Sequence, residues 1–212
     1  MLSICHANSP YTVDTIGTQS SPSDIGLYGY DTAGNRLSNS TKGQNVKYGL
    51  ISKAVNISQD GVSTSIHHAP GGRHYLRTNS NGSKTFYLPG MDYKIDANDN
   101  ATKSIRISAK GYSPFVQVDI NFSGTDNTYF IQDHLGSPVA LVNNDDTVNK
   151  RNRYGVWGQM TEATGVSHTP TDDDAKFRGY TGHELMAKFN MGYWNGRIFD
   201  YEIATLPQTE EK

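Results

Sequence analysis

Short alternating runs of apolar and polar residues, cut by turn residues, make up most of the chain. Between positions 46 and 122 the breaks recur about every 8–12 residues, which is the sequence mark of all-β structure. Residues 62–69 run to Pro70-Gly71-Gly72 and 73–78 return. Asn79-Ser80-Asn81-Gly82 turns again, 83–88 lead to Pro89-Gly90, and 91–96 lead to Asn98-Asp99-Asn100. Residues 103–110 are followed by a break at 111–114 and by a further run at 115–122. In that run Val116, Val118, Ile120 and Phe122 share one face, with Gln117, Asp119 and Asn121 on the other. It is the cleanest half-buried strand pattern in the chain. Leu185, Met186 and Phe189 fall at helical spacing within 183–190, but the stretch is short and ends at Gly192. It predicts one turn or a hairpin loop.

The turns carry specific chemistry. Tyr28 and Tyr30 alternate on a short strand, Asp31-Thr32-Ala33-Gly34-Asn35 reverses the chain, and Arg36-Leu37 starts the return. Gly34 and Asn35 are the residue types that enter the left-handed region most cheaply. Asp133-His134-Leu135-Gly136-Ser137-Pro138 sets an acid, a Gly and a Pro between apolar segments, which suits a tight reversal. Ahead of these, residues 1–26 are polar and punctuated by Pro10, Gly17, Pro22 and Gly26, which predicts a flexible N-terminal arm.

Four phrases follow one another in the second half: Asp133-His134-Leu135-Gly136-Ser137; Tyr154 with Gly158; Gly179-Tyr180-Thr181-Gly182-His183-Glu184; and Arg197-Ile198-Phe199-Asp200. In that order they resemble the RHS-repeat-associated core, the terminal section of RHS/YD-repeat proteins. Upstream, Tyr28-Gly29-Tyr30-Asp31 with Gly34-Asn35-Arg36-Leu37 and Tyr48 is similar to one YD repeat. Ordered motifs are far more specific than any one alone. The resemblance covers roughly 28–200 and implies an all-β chain of successive antiparallel hairpins, part of a wound, spiral β-sheet shell with little helix. It divides the chain into the arm at 1–26, a YD-repeat-like region at 27–126, the associated core at 127–201 and a frayed tail at 202–212. Such shells hold a toxic or adhesive C-terminal segment and are secreted or displayed at the cell surface. The motif residues are expected to be structural: Tyr30, Asp31, Gly34, Asn35, Arg36, Asp133, His134, Gly136, Ser137, Tyr154, Gly158, Gly179, Tyr180, Gly182, Glu184, Arg197 and Asp200.

The 212 residues suffice for one or two ordinary domains but are too few to close a whole cage of the family's kind. The expected partners are therefore the remaining shell segments or a second RHS-type chain, with self-association through open strand edges when the piece is alone. Hydrophobic residues make up only 35%, which suits a two-sided, partly wet sheet. The net charge of −2 and scattered Lys and Arg make nucleic acid a poor partner. A lone cysteine, Cys5, excludes an intrachain disulfide. The first ten residues lack the basic start and apolar stretch of a signal peptide, and no apolar run approaches the ~20 residues of a membrane span. The compartment is left open by the sequence.

Candidate chemistry is sparse, and no cofactor is expected. His67, His68 and His74 flank the Pro70-Gly71-Gly72 turn, where a two-residue loop would pair Ala69 with His74 and His67 with Leu76. A metal site needs a third ligand, and none is identifiable. His134 and the His183-Glu184 pair could do acid–base work, but a histidine in a tight turn more often fixes that turn. Asp133, Asp172, Asp173, Asp174 and Asp200 raise an aspartic-protease reading, because paired carboxylates can activate water. Some RHS proteins resemble such enzymes and cut themselves just after the core. Their chains continue past the final Asp with Pro, a Gly-Arg run and further Asp-Pro steps. Here Asp200 is followed by Tyr201, and no later Asp occurs, so self-cleavage and enzymatic activity are not expected. The alternative is a cell-surface module that binds glycans through exposed members of the thirteen Tyr. Asn-x-Ser/Thr triplets at Asn39, Asn56, Asn81, Asn100 and Asn121 matter only in a glycosylating host.

Overall fold

The computed structural model describes residues 2–5, 15–18, 21–109, 113–161, 178–194 and 197–202. Its main body is one antiparallel sheet of 15 strands in strict sequence order. The strands are β1 (Leu2–Cys5), β2 (Thr15–Thr18), β3 (Ser21–Tyr30), β4 (Arg36–Asn39), β5 (Gln44–Tyr48), β6 (Ala54–Gln59), β7 (Val62–His68) and β8 (His74–Asn79). They continue as β9 (Lys84–Leu88), β10 (Met91–Ile95), β11 (Ala101–Ile107), β12 (Val116–Asn121), β13 (Gly124–Gln132), β14 (Pro138–Val142) and β15 (Val148–Arg151). The sheet is open, beginning at β1 and ending at β15. A short pair follows, β16 (Arg153–Tyr154) with β17 (Met160–Thr161), and then a three-stranded sheet of β18 (Glu184–Met186), β19 (Met191–Trp194) and β20 (Arg197–Asp200). No α-helix occurs among the described residues. Sequence reading gives the arm at 1–26 no strand, yet Leu2–Cys5 and Thr15–Thr18 are strands, and the first part of β3 pairs with β2. The helical spacing within 183–190 is a hairpin, as expected, with a 3-10 turn at Ala187–Phe189 joining β18 to β19. The acidic run at 172–174, the turn at 111 and the tail beyond 202 lie outside the described residues.

One turn explains why the chain keeps doubling back. It opens at Asp31, Gly49, Ala69, Asn79, Asp96, Asp133, Asn143, Gly155 and Gly179. Each time, the first residue's N–H donates to the carbonyl four residues on, and the fourth residue's N–H donates back to the first carbonyl. The fourth residue always has positive φ, from 49° at Ser52 to 88° at Gly82. This is the three-residue hairpin loop whose left-handed residue makes a bulge, and its twist suits right-twisted strands. Where Asp opens it, the carboxylate completes the turn: Oδ1 of Asp31 accepts from the N–H groups of Ala33 and Asn35, and Oδ1 of Asp133 from those of Leu135 and Ser137. The motif Asp-x-x-Gly is thus a local instruction to reverse direction. At 69–73 the loop is one residue longer than the two-residue loop predicts. His67 still faces Leu76, but His68, not Ala69, faces His74.

The core lies between the two sheets. Val46, Ala54, Ile57 and Ile66 of β5–β7 pack on Met186, Phe189, Met191, Tyr193 and Ile198 around the small sheet. On its other side Leu185, Ala187, Phe199 and Tyr201 pack with Met160, flanked by Tyr154, Tyr180 and Trp194. The face of the large sheet that looks toward the small sheet changes character from β8 onward. Residues directly opposite in an antiparallel pair share a face, so the register carries it from Ile66 to Arg77, Thr85 and Lys94, and from Tyr87 to Asp92, Ser104 and Asp119. That face is therefore polar. On β12 it is Gln117 and Asp119 that are buried, whereas Ile120 is 37% exposed and Phe122 fully exposed. The alternation read from the sequence is real, but its inner side is the polar one; only Val116 of the apolar set is buried.

Candidate functional site

The small sheet is fastened to the large one by two ionic ties, one buried and one partly buried. In the first, Nη1 of Arg36 pairs with Oδ2 of Asp200, and Nη2 donates to Oε1 of Gln44 at 2.8 Å. Arg36 is fully buried and Asp200 nearly so. Tyr48 donates its hydroxyl to the Arg36 carbonyl at 2.9 Å, and the guanidinium lies 5.3 Å from the centre of the Tyr28 ring. Burial raises the Tyr28 and Tyr48 hydroxyls far above the ordinary range, so both stay neutral donors. The YD-like phrase and the last core phrase therefore meet at one ion pair. Tyr30 ends β3 beside the Asp31–Asn35 turn, and Asn35, whose amide donates to Oδ2 of Asp31, is buried.

The middle phrases meet one another. The Ser137 hydroxyl accepts from the Thr181 N–H at 3.1 Å, joining the Asp133 turn to the Gly179 turn. Burial pushes the Asp133 carboxyl up, but the N–H groups of Ser137 and Leu135 outweigh it and hold the group below its ordinary value. That carboxylate, not His134, fixes the turn; His134 is exposed. Gly158 (φ 87°) lies under Tyr180, whose ring atoms would stand 2.5 to 3.1 Å from any added Cβ. Tyr154 donates to the Pro138 carbonyl at 3.1 Å and lies 5.7 Å from Tyr180, ring centre to ring centre. Gly182 approaches the Gly136 carbonyl. Arg197 faces Trp194 across β19 and β20, and Trp194 stacks on Phe199 at 4.2 Å and on His183 at 5.1 Å.

The second tie is centred on Glu184. Its Oε1 pairs with Nη1 of Arg77 and accepts from the Tyr87 hydroxyl, while Oε2 lies 3.7 Å from Nε2 of His74. Burial alone would raise this carboxyl; Arg77, His74, Arg178 and Tyr87 together outweigh that and hold it far below the carboxylate range. The bulge in β8 makes this cluster possible. With strict alternation His74 and Arg77 would point to opposite faces; the register shift between His67 and His68 adds one residue and turns both inward. His74 is wedged between the Tyr87 and Tyr193 rings, 4.0 and 4.3 Å away. Next to it Arg106 holds Asp92 with two 2.8 Å hydrogen bonds, and Arg178 reaches the same carboxylate at 3.7 Å. His68 contacts the Tyr193 hydroxyl at 3.0 Å, and burial lowers its pKa to about 4.

The motif residues thus serve as turn formers and ties. Sequence reading finds Arg36, Asp200 and Glu184 but not the partners of Glu184 or the Asp92–Arg106 pair, because Arg77, Tyr87, Asp92 and Arg106 sit in ordinary strands with no local signature. His67 lies on the opposite face, 6.3 Å from the Tyr75 ring, so the three histidines of the 67–74 hairpin do not converge. No group of three or more His, Cys, Asp and Glu residues placed for a metal occurs among the described residues. The two carboxylates nearest the protease reading, Asp133 and Asp200, are engaged in a turn and an ion pair respectively.

No family model matches the chain, and no curated protein matches it. Solved structures do. A Photorhabdus luminescens Tc holotoxin pore is similar over 86% of the chain at 16% identity, with a TM-score of 0.69. A TcdB2–TccC3–Cdc42 crystal structure is similar over 99% at 14% identity, with a TM-score of 0.70, and TcdB2–TccC3 alone over 93% at 15% identity and 0.63. The chain spans only 9%, 12% and 14% of those chains. The protein therefore has the fold of a short segment of the RHS-repeat Tc toxin chains, in agreement with the resemblance its motifs carry.

Proposed function

We propose that this protein is a wall segment of a wound β-shell, with its own inner plug, and that the completed shell encloses or presents another polypeptide. The observation that carries this reading is the pair of ionic ties, the buried Arg36–Asp200 and the partly buried Arg77–Glu184, which lash the small sheet onto the inner face of the large one. The polar lining from β8 to β13 fits an inner surface that touches a partly unfolded chain without gripping it, since a dry apolar lining would bind such a chain too firmly. In this proposal the chain has no catalytic role and does not cut itself. The partners are further shell segments or a second RHS-type chain, which would cover the edge strands β1 and β15. The glycan-binding alternative draws little from the molecule: Tyr75 and Tyr129 are the exposed tyrosines among the described residues, and they lie on different strands.

The test is the solution behaviour of the 212-residue chain. A wall segment is expected to associate in a concentration-dependent way by light scattering, and Val148→Lys on the exposed edge strand β15 is expected to suppress it. A strictly monomeric chain with one cooperative unfolding transition would overturn the reading in favour of a self-standing module. Intact mass during storage tests the absence of self-cleavage. A specific N-terminal fragment that disappears in Asp200→Asn would refute it.

A further inference from the structure

The cleft beside the Asp92 pair holds more positive charge than its own carboxylate can balance. It has a volume of about 390 Å³, and Lys53, Arg73, Arg106 and Arg178 line it together with His74 and one acid, Asp92. Asp92 is occupied: both of its oxygens accept from Arg106 at 2.8 Å. Arg178 reaches it only at 3.7 Å, too long for a hydrogen bond, so its guanidinium is attracted without being satisfied there. Lys53 and Arg73 form no ion pair among the described residues. The next carboxylate, Glu184, is committed to Arg77 and Tyr87. In a chain whose net charge is −2, this concentration of cations in one concavity is not a consequence of composition.

The backbone is shaped to bring Lys53 there. Gly72 is buried and has φ 79°, and a Cβ on it would stand 2.7 Å from Cε and 3.2 Å from Nζ of Lys53. The missing side chain lets the lysine lie across the 69–73 turn and reach the cleft. A second cleft, of about 350 Å³, shares Arg106 and Arg178 and adds His183, so the two guanidiniums stand between two openings.

We propose that this cleft binds an oxoanion, the carboxylate or phosphate group of a ligand, held by Arg178, Lys53 and Arg73, with Arg106 kept in place by Asp92. Guanidinium groups form the strongest charge-assisted hydrogen bonds with these two groups, and a partly enclosed site strengthens them by excluding water. The site does not depend on the shell reading and would serve a free anion or an acidic stretch of polypeptide equally.

Calorimetric titration of the full chain at constant ionic strength, with inorganic phosphate in one arm and a hexaglutamate peptide in the other, tests the site. Binding is expected in at least one arm. The Lys53→Gln/Arg73→Gln double variant is expected to weaken it by about tenfold or more, the scale of losing charge-assisted contacts. Arg178→Lys, which keeps the charge and loses the fork, should weaken it as well, while Lys103→Gln on the outward face leaves it unchanged. Binding of phosphate identifies a free anion as sufficient; binding of the peptide alone identifies an acidic chain as the ligand. Absence of binding in both arms, or an equal loss in Lys103→Gln, overturns the proposal. Circular dichroism and urea midpoints matching the parent chain confirm that each variant is folded.

Discussion

Arg36 and Asp200 are 164 positions apart, and each is buried at a cost that the opposite charge of the other chiefly offsets. Replacing one leaves an unpaired charge in the interior. Asp200→Asn is expected to cost about 3–5 kcal/mol in urea unfolding, whereas Arg36→Met/Asp200→Leu should recover most of that loss, because a packed apolar pair often equals a buried ion pair. A double variant as unstable as the single one would show that the tie acts through something other than charge. Protonation probes the second tie. Glu184 is held ionised far below its ordinary value of 4.5 in the folded chain. Its contribution is therefore complete above pH 4.5 and is lost as the pH falls below that point, where the unfolded chain takes up the proton first. His68, pushed down to about 4 from 6.5, resists protonation when folded, so its contribution is complete above pH 6.5 and is lost between pH 6.5 and about 4. Stability profiles should lose the upper part of this acid slope in His68→Gln and the lower part in Glu184→Gln. Slopes unchanged in both variants would count against the burial argued for these groups.

At the scale of elements, the recurring three-residue loop is the unit of construction. Its left-handed fourth position is where glycine is needed, but the penalty for replacing it depends on what lies above. At Gly82 (φ 88°) an added Cβ meets nothing within 4 Å, while at Gly158 (φ 87°) it meets the Tyr180 ring. Gly82→Ala should therefore show the backbone penalty alone, about 1 kcal/mol, and Gly158→Ala clearly more. Equal losses would mean that Tyr180 does not rest on Gly158. Gly136→Val combines a β-branched side chain at φ 83° with a close approach to the Ser113 hydroxyl, 2.6 Å from the Cβ position. It is expected to destabilise by roughly 1–3 kcal/mol, measured by the same unfolding assay. The turns were also the most legible part of the sequence. Asp31-Thr32-Ala33-Gly34-Asn35 and Asp133-His134-Leu135-Gly136-Ser137 carry their hydrogen-bond partners within five residues, so reading them needs no tertiary knowledge. Asp99 and Asp146 show the limit: they take the same left-handed position without glycine and leave a weaker trace.

At the scale of the molecule, a sheet that starts at β1 and stops at β15 presents two edges, and its outward face carries Leu88, Ile107, Ile120, Tyr129 and Ile131. Open edges and apolar outer positions together favour association with further chains. The chain spans about a tenth of the Tc toxin chains it resembles in fold. Raising the salt concentration should separate the two contributions. Association through backbone hydrogen bonds and apolar surface is expected to persist, whereas binding in the cationic cleft should weaken as the charges are screened. Dissociation by salt would instead place ionic contacts at the interface.

From position 46 onward the sequence by itself determined the succession of short strands, the all-β class and most of the residues that form turns, because backbone reversal is settled by chemistry within five residues. Only the tertiary structure decided which side of each strand faces inward and which charges pair. On β12 the alternation of Val116, Val118 and Ile120 with Gln117 and Asp119 fixes two faces but cannot say which one a second layer will cover. The polar face is the inner one because Glu184, brought back from more than 90 positions away, needs Arg77 and Tyr87 around it. Period two is a property of the strand; burial is a property of what returns to lie against it.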